Sequence, residues 1–390
     1  MRSMLIRREL PAVSFLARRT LKTGRMKREI SLYLDLLRFL AALVVLLQHL
    51  SWAHFSGGLL WQIGPYGAQA VIVFFVLSGY VIGYVTDRAD NTPRRYAVDR
   101  AARIYSVALP AVLLTFALDA IGSHLRPELY AEGWVNTDTP LWTQFLRNLL
   151  FLNQRWSTDL YPGSNVPYWS MGYEIWYYVA FGLFVFLPRR WSVWAGIAVL
   201  AFIGPRVAAL FPVWLLGVGC YRLSREPLRI SPRWGRLLFF GAPVLLALFE
   251  LWRPHQTLPI PVQDWPDLAW TASVGMFVAA HLLGVPAVAP MLGRWLRPFA
   301  RPIRFLAGRS FSLYLFQLPV LQFLMCLMPW PPTSWFSRIG ITAGTLTAVL
   351  LLAEVTERRK DAWRRAFDRL LPTARPASNG VDTTPGPAGR

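Results

Sequence analysis

Two ionisable residues inside one long apolar segment are the first features of this sequence that could do chemistry. Arg38 and His49 lie in the segment 32–52, and Asp35 precedes the arginine by one helical turn. On an α-helix, the step from Arg38 to His49 makes three turns plus about 20°, so both side chains project from one face, about 16 Å apart along the axis. Guanidinium groups bind anions and imidazoles accept protons from hydroxyls, so this face is a candidate for catalysis.

Each of these residues also has a simpler interpretation when it is taken alone. Arg38 could extend its guanidinium to a membrane surface, and His49 could be a structural hydrogen-bonding group near the end of its segment. Asp35 could pair with Arg38 in either case. Burying an ionisable side chain in a membrane costs free energy, so two such side chains on the same face of an apolar helix favour the functional interpretation.

A carboxylate among aromatic residues lies near the start of another apolar segment, 168–187. Glu174 lies about a turn and a half inside it, which predicts a depth similar to that of His49. A carboxylate beside an imidazole orients the ring and raises its basicity, so we predict that Glu174 supports His49. The alternative is a carboxylate that hydrogen-bonds the surrounding aromatic residues. Trp169 and Tyr173 are candidates to stack on sugar rings, although such residues are also typical of a membrane aromatic belt.

A pair of arginines lies at the start of the segment 101–121. Arg100 and Arg103 are one helical turn apart, and arginine pairs bind phosphate groups well. The alternative is that these residues belong to the basic loops that membrane proteins keep on their cytoplasmic side. The spacing therefore makes Arg100 and Arg103 candidates for binding a phosphate-containing cofactor.

The sequence gives no sign of a metal site. The two cysteines, Cys220 and Cys326, lie in or at the ends of apolar segments, where small buried residues are expected. We find no Cys-x-x-Cys spacing and no cluster of His, Asp or Glu residues with metal-ligand spacing. We therefore predict neither a disulfide nor a bound metal.

The composition of the chain predicts a membrane protein. Of its 390 residues, 54% are hydrophobic and only 16% are charged, whereas soluble proteins have about 25% charged residues. Its apolar windows are about twenty residues long, the length that an α-helix needs to cross a hydrocarbon core. The sequence therefore predicts an all-α polytopic membrane protein with about ten transmembrane helices. The predicted spans are 32–52, 67–86, 101–121, 168–187, 192–204, 207–221, 237–252, 268–289, 305–328 and 336–356.

The distribution of basic residues predicts the orientation of the chain. The net charge is +20, and most of the 41 Lys and Arg residues fall on the alternate loops that share a side with both termini. The positive-inside rule places that side in the cytoplasm, and we find no basic patch typical of a nucleic-acid site. We predict a multi-pass protein of the cell inner membrane with three parts. These are a basic cytoplasmic segment 1–31, a transmembrane domain 32–356, and a basic cytoplasmic tail 357–390 that is disordered from about residue 371.

Several of these segments together resemble the membrane acyltransferase-3 family, from residue 30 to about residue 365. Arg38 and His49, with Asp35 ahead of them, resemble the family's first helix. Other family-like stretches follow in the family's order, at 74–80, 100–105, 167–174, 211–219 and 307–317. Each motif alone is weak, but their order and spacing are specific. Ser106 and Gln317 depart from the pattern, since family members commonly have Pro and His there, and we assign Gln317 no role.

The resemblance implies ten helices, an acyl-CoA donor, often acetyl-CoA, and transfer to a hydroxyl of a cell-surface or lipid-linked carbohydrate. As a hypothesis, Arg100 and Arg103 hold the phosphates of coenzyme A at the cytoplasmic face, and Arg38 guides its pantetheine arm between the helices. His49 then acts as general base or transient acyl carrier, with Glu174 supporting it. Acyl transfer of this kind requires no metal.

Two other classes of protein fit parts of the pattern. Intramembrane Arg, His and Glu residues also form proton relays, so a secondary transporter is the main alternative, although we find no repeated halves of the kind that transporters often have. A non-catalytic membrane partner in polysaccharide assembly is the third possibility. The sequence makes no prediction about the oligomeric state.

Overall fold

A computed structural model describes residues 26–88, 90–131, 133–136, 138–225, 230–252 and 268–370 of the chain. Within these ranges the chain is helical and contains no β-strand. The helices of eight or more residues, labelled in chain order, are α1 Arg28–Leu50, α2 Gly67–Thr86, α3 Pro93–Leu125, α4 Leu141–Leu149, α5 Met171–Phe186, α6 Arg189–Ile203, α7 Pro205–Leu223, α8 Pro232–Trp252, α9 Leu268–Leu296, α10 Ala300–Ala307, α11 Ser310–Leu327, α12 Trp335–Val355 and α13 Lys360–Leu370. Short helical turns occur at Ala53–Ser56, Gly64–Tyr66, Pro127–Leu129, Val166–Ser170, Arg297–Phe299 and Glu357–Arg359.

Eight helical segments of the described chain are long and apolar enough to cross a membrane. They are Arg28–Leu50, Gly64–Thr86, Pro93–Leu125, Pro205–Leu223, Pro232–Trp252, Leu268–Ala307, Ser310–Leu327 and Trp335–Leu370. The two remaining predicted spans correspond to α5, with 16 residues, and α6, with 15 residues. Both are shorter than the about twenty residues that a span usually needs. The all-α polytopic membrane architecture is therefore confirmed, whereas the number of ten spans and the side of the termini stay predictions.

Parts of the predicted terminal segments lie outside the described residues. These are the N-terminal residues before Met26 and the tail from 371 onward, including its predicted disorder. The described part of the predicted tail follows α12 and forms the turn Glu357–Arg359 and the helix α13. Helix α13 packs along α3, where Arg364 pairs with Asp99 at 3.1 Å.

Helix α1 contacts four other helices, namely α2, α9, α10 and α11. Some of its apolar side chains, among them Leu32, Ala42 and Leu46, are almost completely buried, whereas Leu40 is exposed. Polar groups on such a helix cannot bond to water in a membrane, so they need partners on the helices around them. Helix α11 is the most enclosed of the eight candidate spans and lies against α1. These two helices therefore provide the setting for the polar residues of the site.

Glycines allow α2 and α7 to approach each other closely. A methyl group at Gly79 of α2 would overlap the carbonyl oxygen of Trp214, and one at Gly217 of α7 would overlap the carbonyl oxygen of Val76. Small residues serve this purpose in membrane helices because they let two backbones come into van der Waals contact. At Gly219 of α7, in contrast, no atom of the described residues lies within 4 Å of the position of an added methyl group.

This packing makes a prediction about stability. We expect Gly79→Ala to lower the free energy of unfolding by about 1–3 kcal/mol, because the helices must move apart to fit the methyl group. Gly219→Ala is the matched control, since it adds the same methyl group to open space. Thermal unfolding of the purified proteins in one detergent checks the expectation. Equal midpoints for the two variants would contradict it.

Candidate active site

Arg38 of α1 is held at the start of α11. Its Nε donates a hydrogen bond to Ser310 Oγ at 3.1 Å, and its Nη2 donates to the carbonyl oxygen of Ala307 at 2.9 Å. Nη2 also donates to Asp35 Oδ1 at 3.1 Å, so the predicted pair of Asp35 and Arg38 is present. These contacts hold the guanidinium against α11. They differ from the alternative in which the Arg38 side chain extends to the membrane surface.

A cavity of about 830 Å³ lies beside Arg38, at the end of the bundle where α1 begins. We call it the basic pocket, defined by Arg38, Arg88, Arg100, Arg103 and Glu174. The pocket brings together the three arginines that the sequence analysis proposed for cofactor binding. They come from two helices, α1 and α3, that are distant in the sequence.

The arginines of the basic pocket differ in whether they are neutralised. Arg88 at the rim donates two hydrogen bonds to Asp90, which lower the pKa of that carboxyl. Among the described residues, the guanidinium groups of Arg100 and Arg103 form no ion pair or hydrogen bond, and Arg100 Nε is buried without a partner. Arg38 and Arg103 lie close enough to repel each other. Arg100 and Arg103 are therefore available for an anion such as a phosphate.

Glu174 of α5 faces the basic pocket. Its Oε1 accepts a hydrogen bond from Ser78 Oγ at 2.7 Å and another from the Tyr178 hydroxyl. Within the described residues no hydrogen bond joins Glu174 to His49, so the predicted support of the imidazole by this carboxylate has no counterpart in the observed contacts. The reason is the rotation of α5, which points Glu174 to the basic pocket and its neighbour Tyr173 to a different cavity.

That second cavity, of about 550 Å³, lies toward the other end of α1. We call it the aromatic pocket, defined by His49, Trp52, Trp61, Trp169 and Tyr173. The ring of Trp169 meets the ring of Tyr173 edge-on, with centroids 5.2 Å apart, and the ring of Trp52 meets the His49 ring in the same way at 4.9 Å. The structure thus places Trp169 and Tyr173 in one cavity with His49, and it adds two tryptophans.

The two pockets meet inside the bundle. Val71, Phe75 and Tyr314 line both of them, so these side chains form the partition between the cavities. The hydroxyl of Tyr314 lies 2.9 Å from Ser170 Oγ, and Ser170 faces the basic pocket. A linear molecule that entered the basic pocket would need to pass this partition to bring its far end to His49.

His49 lies at the inner end of the aromatic pocket and is only 3% exposed. Its Nδ1 atom is buried and forms no well-aligned hydrogen bond within the described part of the chain, where the carbonyl of Val45 is the nearby backbone acceptor. The side chain of Gln317, from α11, lies within hydrogen-bonding reach of the ring, and both of its amide atoms are buried without a well-aligned bond to any described residue. The geometry therefore puts Gln317, which the sequence analysis left without a role, beside the candidate base.

Several residues of the site were not identified from the sequence. Three of them lie within the family-like stretches 74–80 and 307–317, namely Ser78, Tyr314 and Gln317. Those motifs could therefore have identified these three residues as candidates. Trp52 and Trp61 follow α1 in an irregular segment, where tryptophans at a membrane surface are common and carry no specific signal.

The described residues contain no group of three His, Cys, Asp or Glu side chains placed to hold a metal ion. Cys220 and Cys326 are both buried free thiols, as predicted, and they lie outside the two pockets. The polar groups in the pockets are therefore guanidinium, imidazole, carboxyl, amide and hydroxyl groups.

The chain is similar to known proteins. Residues 31–354 match a family described as an acyltransferase domain. The chain is 31% identical to the exopolysaccharide production protein ExoZ of Rhizobium meliloti (strain 1021) over 224 residues, which cover 56% of this chain and 61% of that protein. It is 30% identical to the acyltransferase MdmB of Streptomyces mycarofaciens over 189 residues, which cover 45% of this chain and 46% of that protein. The chain thus spans less than two thirds of the length of either relative, and no solved structure matches it.

Proposed function

The chain belongs to the acyltransferase family whose domain it matches over residues 31–354, and from this we propose that it transfers an acyl group from acyl-CoA to a carbohydrate hydroxyl. The observation that carries the proposal is the pair of pockets that meet at one partition. One pocket has unpaired arginines and the other has a histidine among aromatic rings. We propose acetyl-CoA as the donor and the cell inner membrane as the location.

The basic pocket suits the donor. Coenzyme A carries phosphate groups at one end and a thioester at the end of a long, flexible arm. Arg100 and Arg103 form no ion pair within the described residues, although Arg103 is attracted to the nearby Glu357 carboxylate. They would hold the phosphates, because guanidinium groups bind them through charge-assisted hydrogen bonds. Arg38, fixed by Ser310, would lie along the arm. The path from Arg38 to His49 is about 16 Å along α1, a length that an extended arm can follow.

The aromatic pocket suits a carbohydrate acceptor. Sugar rings have apolar faces that pack on aromatic side chains, and their hydroxyls then lie at the ring edge. Trp61 is 69% exposed at the mouth of the pocket, whereas Trp169 and Tyr173 lie deeper. One relative is described as a protein of exopolysaccharide production, which supports a cell-surface or lipid-linked carbohydrate as the acceptor.

In the proposed reaction, His49 accepts the proton of the acceptor hydroxyl while the hydroxyl oxygen bonds to the thioester carbonyl carbon. The resulting tetrahedral intermediate breaks its carbon–sulfur bond and releases the coenzyme A thiolate. The proton on His49 then passes to the thiolate, so the products are an ester and the free thiol. Glu174, in the basic pocket, would act on the donor and the arginines and not on His49.

Membership of an acyltransferase family favours this function over a secondary transporter. A transporter would bind its substrate without breaking a bond, so release of coenzyme A from acetyl-CoA separates the two functions. A non-catalytic membrane partner would likewise release no coenzyme A.

The test uses inside-out membrane vesicles from the source cells, which contain the natural acceptor, supplied with radiolabelled acetyl-CoA. We expect the wild-type protein to release coenzyme A and to move label into the carbohydrate fraction. We expect Trp61→Ala to reduce label transfer by about 5- to 10-fold, because one stacking contact is lost at an exposed position that adds little to stability.

Trp142→Ala is the control, since Trp142 is 68% exposed but does not line either pocket. Label transfer by this variant should equal that of the wild type. If vesicles with folded protein release no coenzyme A from acetyl-CoA, acetyl-CoA is not the donor. If coenzyme A is released but the label enters lipid or protein alone, the carbohydrate acceptor is wrong.

A further inference from the structure

Gln317 is completely buried, and among the described residues neither its carboxamide oxygen nor its carboxamide nitrogen forms a well-aligned hydrogen bond, although the His49 ring lies within reach. Burying an amide without partners costs several kcal/mol in an environment that offers no water. An unpaired amide inside a membrane span needs an explanation, because burying an apolar side chain of similar size would cost less free energy.

The other polar residues of α11 are all satisfied. Ser310 accepts from Arg38, Ser312 donates to Glu357, and the Tyr314 hydroxyl bonds Ser170. Gln322, five residues beyond Gln317, bonds His54 and donates to the carbonyl oxygen of Leu129. The unpaired amide is therefore specific to Gln317 and not a general property of this helix.

The position of Gln317 indicates what its partner is. Helix α11 bonds Arg38 at one end through Ser310 and His54 at the other end through Gln322. Gln317 lies between these two contacts, beside the ring of His49, whose Nδ1 is also buried and unpaired. The His49 ring thus has the Gln317 amide and the carbonyl of Val45 as polar neighbours, and neither Nδ1 nor the amide forms a well-aligned hydrogen bond within the described residues.

We propose that Gln317 is a positioning residue for His49, and that its carboxamide oxygen accepts a hydrogen bond from His49 Nδ1 during the reaction. This proposal rests on the proposed function. A proton fixed on Nδ1 leaves Nε2 free to accept the proton of the acceptor hydroxyl, and the same bond stabilises the imidazolium that forms. Hydrogen bonds of this kind are often long in unliganded enzymes and shorten when substrate binds.

The two possible roles of Gln317 predict opposite results for one variant. If Gln317 were structural, Gln317→Leu would lower the thermal midpoint, as losses of buried polar contacts do. If Gln317 positions His49, the variant removes an unsatisfied amide, so we expect a midpoint equal to or above that of the wild type. We also expect kcat for acetyl-CoA to fall by about 10- to 100-fold with little change in KM.

Gln322→Leu is the matched control, because Gln322 is an equally buried glutamine of the same helix whose amide is bonded. We expect it to lower the thermal midpoint and to leave the activity of the folded fraction within about twofold of wild type. Gln317→His should restore most of the activity, because a ring nitrogen can accept the bond from His49.

Three outcomes would overturn the role of Gln317. They are full activity in Gln317→Leu, a midpoint that falls as far as in Gln322→Leu, or a loss of activity that appears only in KM. Full activity would mean that the backbone carbonyl of Val45, the other acceptor near the ring, fixes His49 alone. If the wild-type protein does not turn over acetyl-CoA, the proposed function fails first, and the comparison of midpoints still tests whether the Gln317 amide stabilises the fold.

Discussion

His49→Ala is expected to lower the rate of acyl transfer by about 10²- to 10⁴-fold, because it removes the proposed general base. Acetyl-CoA binding should change little, since the arginines that would hold the phosphates lie in the other pocket. The measurement is release of coenzyme A and transfer of label in vesicles, together with the dissociation constant of acetyl-CoA from the purified protein. A variant that keeps binding and loses turnover places His49 in the chemical step.

His124→Ala is the control for this experiment, because His124 is a solvent-exposed histidine at the end of α3 that lines neither pocket. Its activity should match the wild type. Two results would contradict the role of His49, namely turnover in the folded His49→Ala protein, or equal losses of binding and turnover. Rapid quenching with labelled acetyl-CoA adds a further distinction, since label retained on wild-type protein but not on His49→Ala would make His49 an acyl carrier.

The helix periodicity of α1 was enough to predict one half of the site. Arg38 and His49 lie on one helix, and the angle between them depends only on the number of residues that separate them. The pairing of Asp35 with Arg38 is equally local, because the two residues are one turn apart. The relative direction of two side chains on one helix can be predicted because it depends on neither helix packing nor loop structure.

The position of Glu174 could not be predicted in this way. Its depth in the membrane follows from its place in α5, but the direction in which it points depends on how α5 is rotated against its neighbours. Tyr173 and Glu174 are adjacent, so their side chains are about 100° apart and enter different pockets. In this orientation Glu174 accepts hydrogen bonds from Ser78 and Tyr178. Ser78 is 96 residues away in the sequence, so the first bond could not be predicted from local spacing.

The helices α5 and α6 show a similar limit for the membrane spans. Hydropathy finds an apolar window but not the residues at which a helix begins or ends. The turn Val166–Ser170 precedes α5, and Pro188 separates it from α6, so part of the apolar window lies outside regular helix. Two aromatic residues of this window, Trp169 and Tyr173, line the aromatic pocket.

Arg100→Gln and Arg103→Gln are each expected to weaken acetyl-CoA binding by about tenfold or more, since a hydrogen bond to a charged group is worth about 1.5–3 kcal/mol. The cause would be loss of phosphate contacts at the basic pocket. Stability should change little, because neither guanidinium forms an ion pair among the described residues, and the attraction of Arg103 to Glu357 is opposed by its repulsion from Arg38. Arg94→Gln is the control on the same helix, since Arg94 pairs with Asp368 at 2.9 Å and neither residue lines the pocket.

A donor without phosphates separates this role from an effect on membrane orientation. Acetyl-pantetheine has the same thioester and arm as acetyl-CoA but lacks its phosphates, so the wild-type protein should prefer acetyl-CoA. Arg100→Gln and Arg103→Gln should lose most of that preference and keep their activity toward acetyl-pantetheine. If the arginines only orient the chain by the positive-inside rule, the variants will reduce the amount of correctly inserted protein and use of both donors will fall equally. If correctly inserted variants still prefer acetyl-CoA to acetyl-pantetheine as the wild type does, the phosphates do not bind at Arg100 and Arg103.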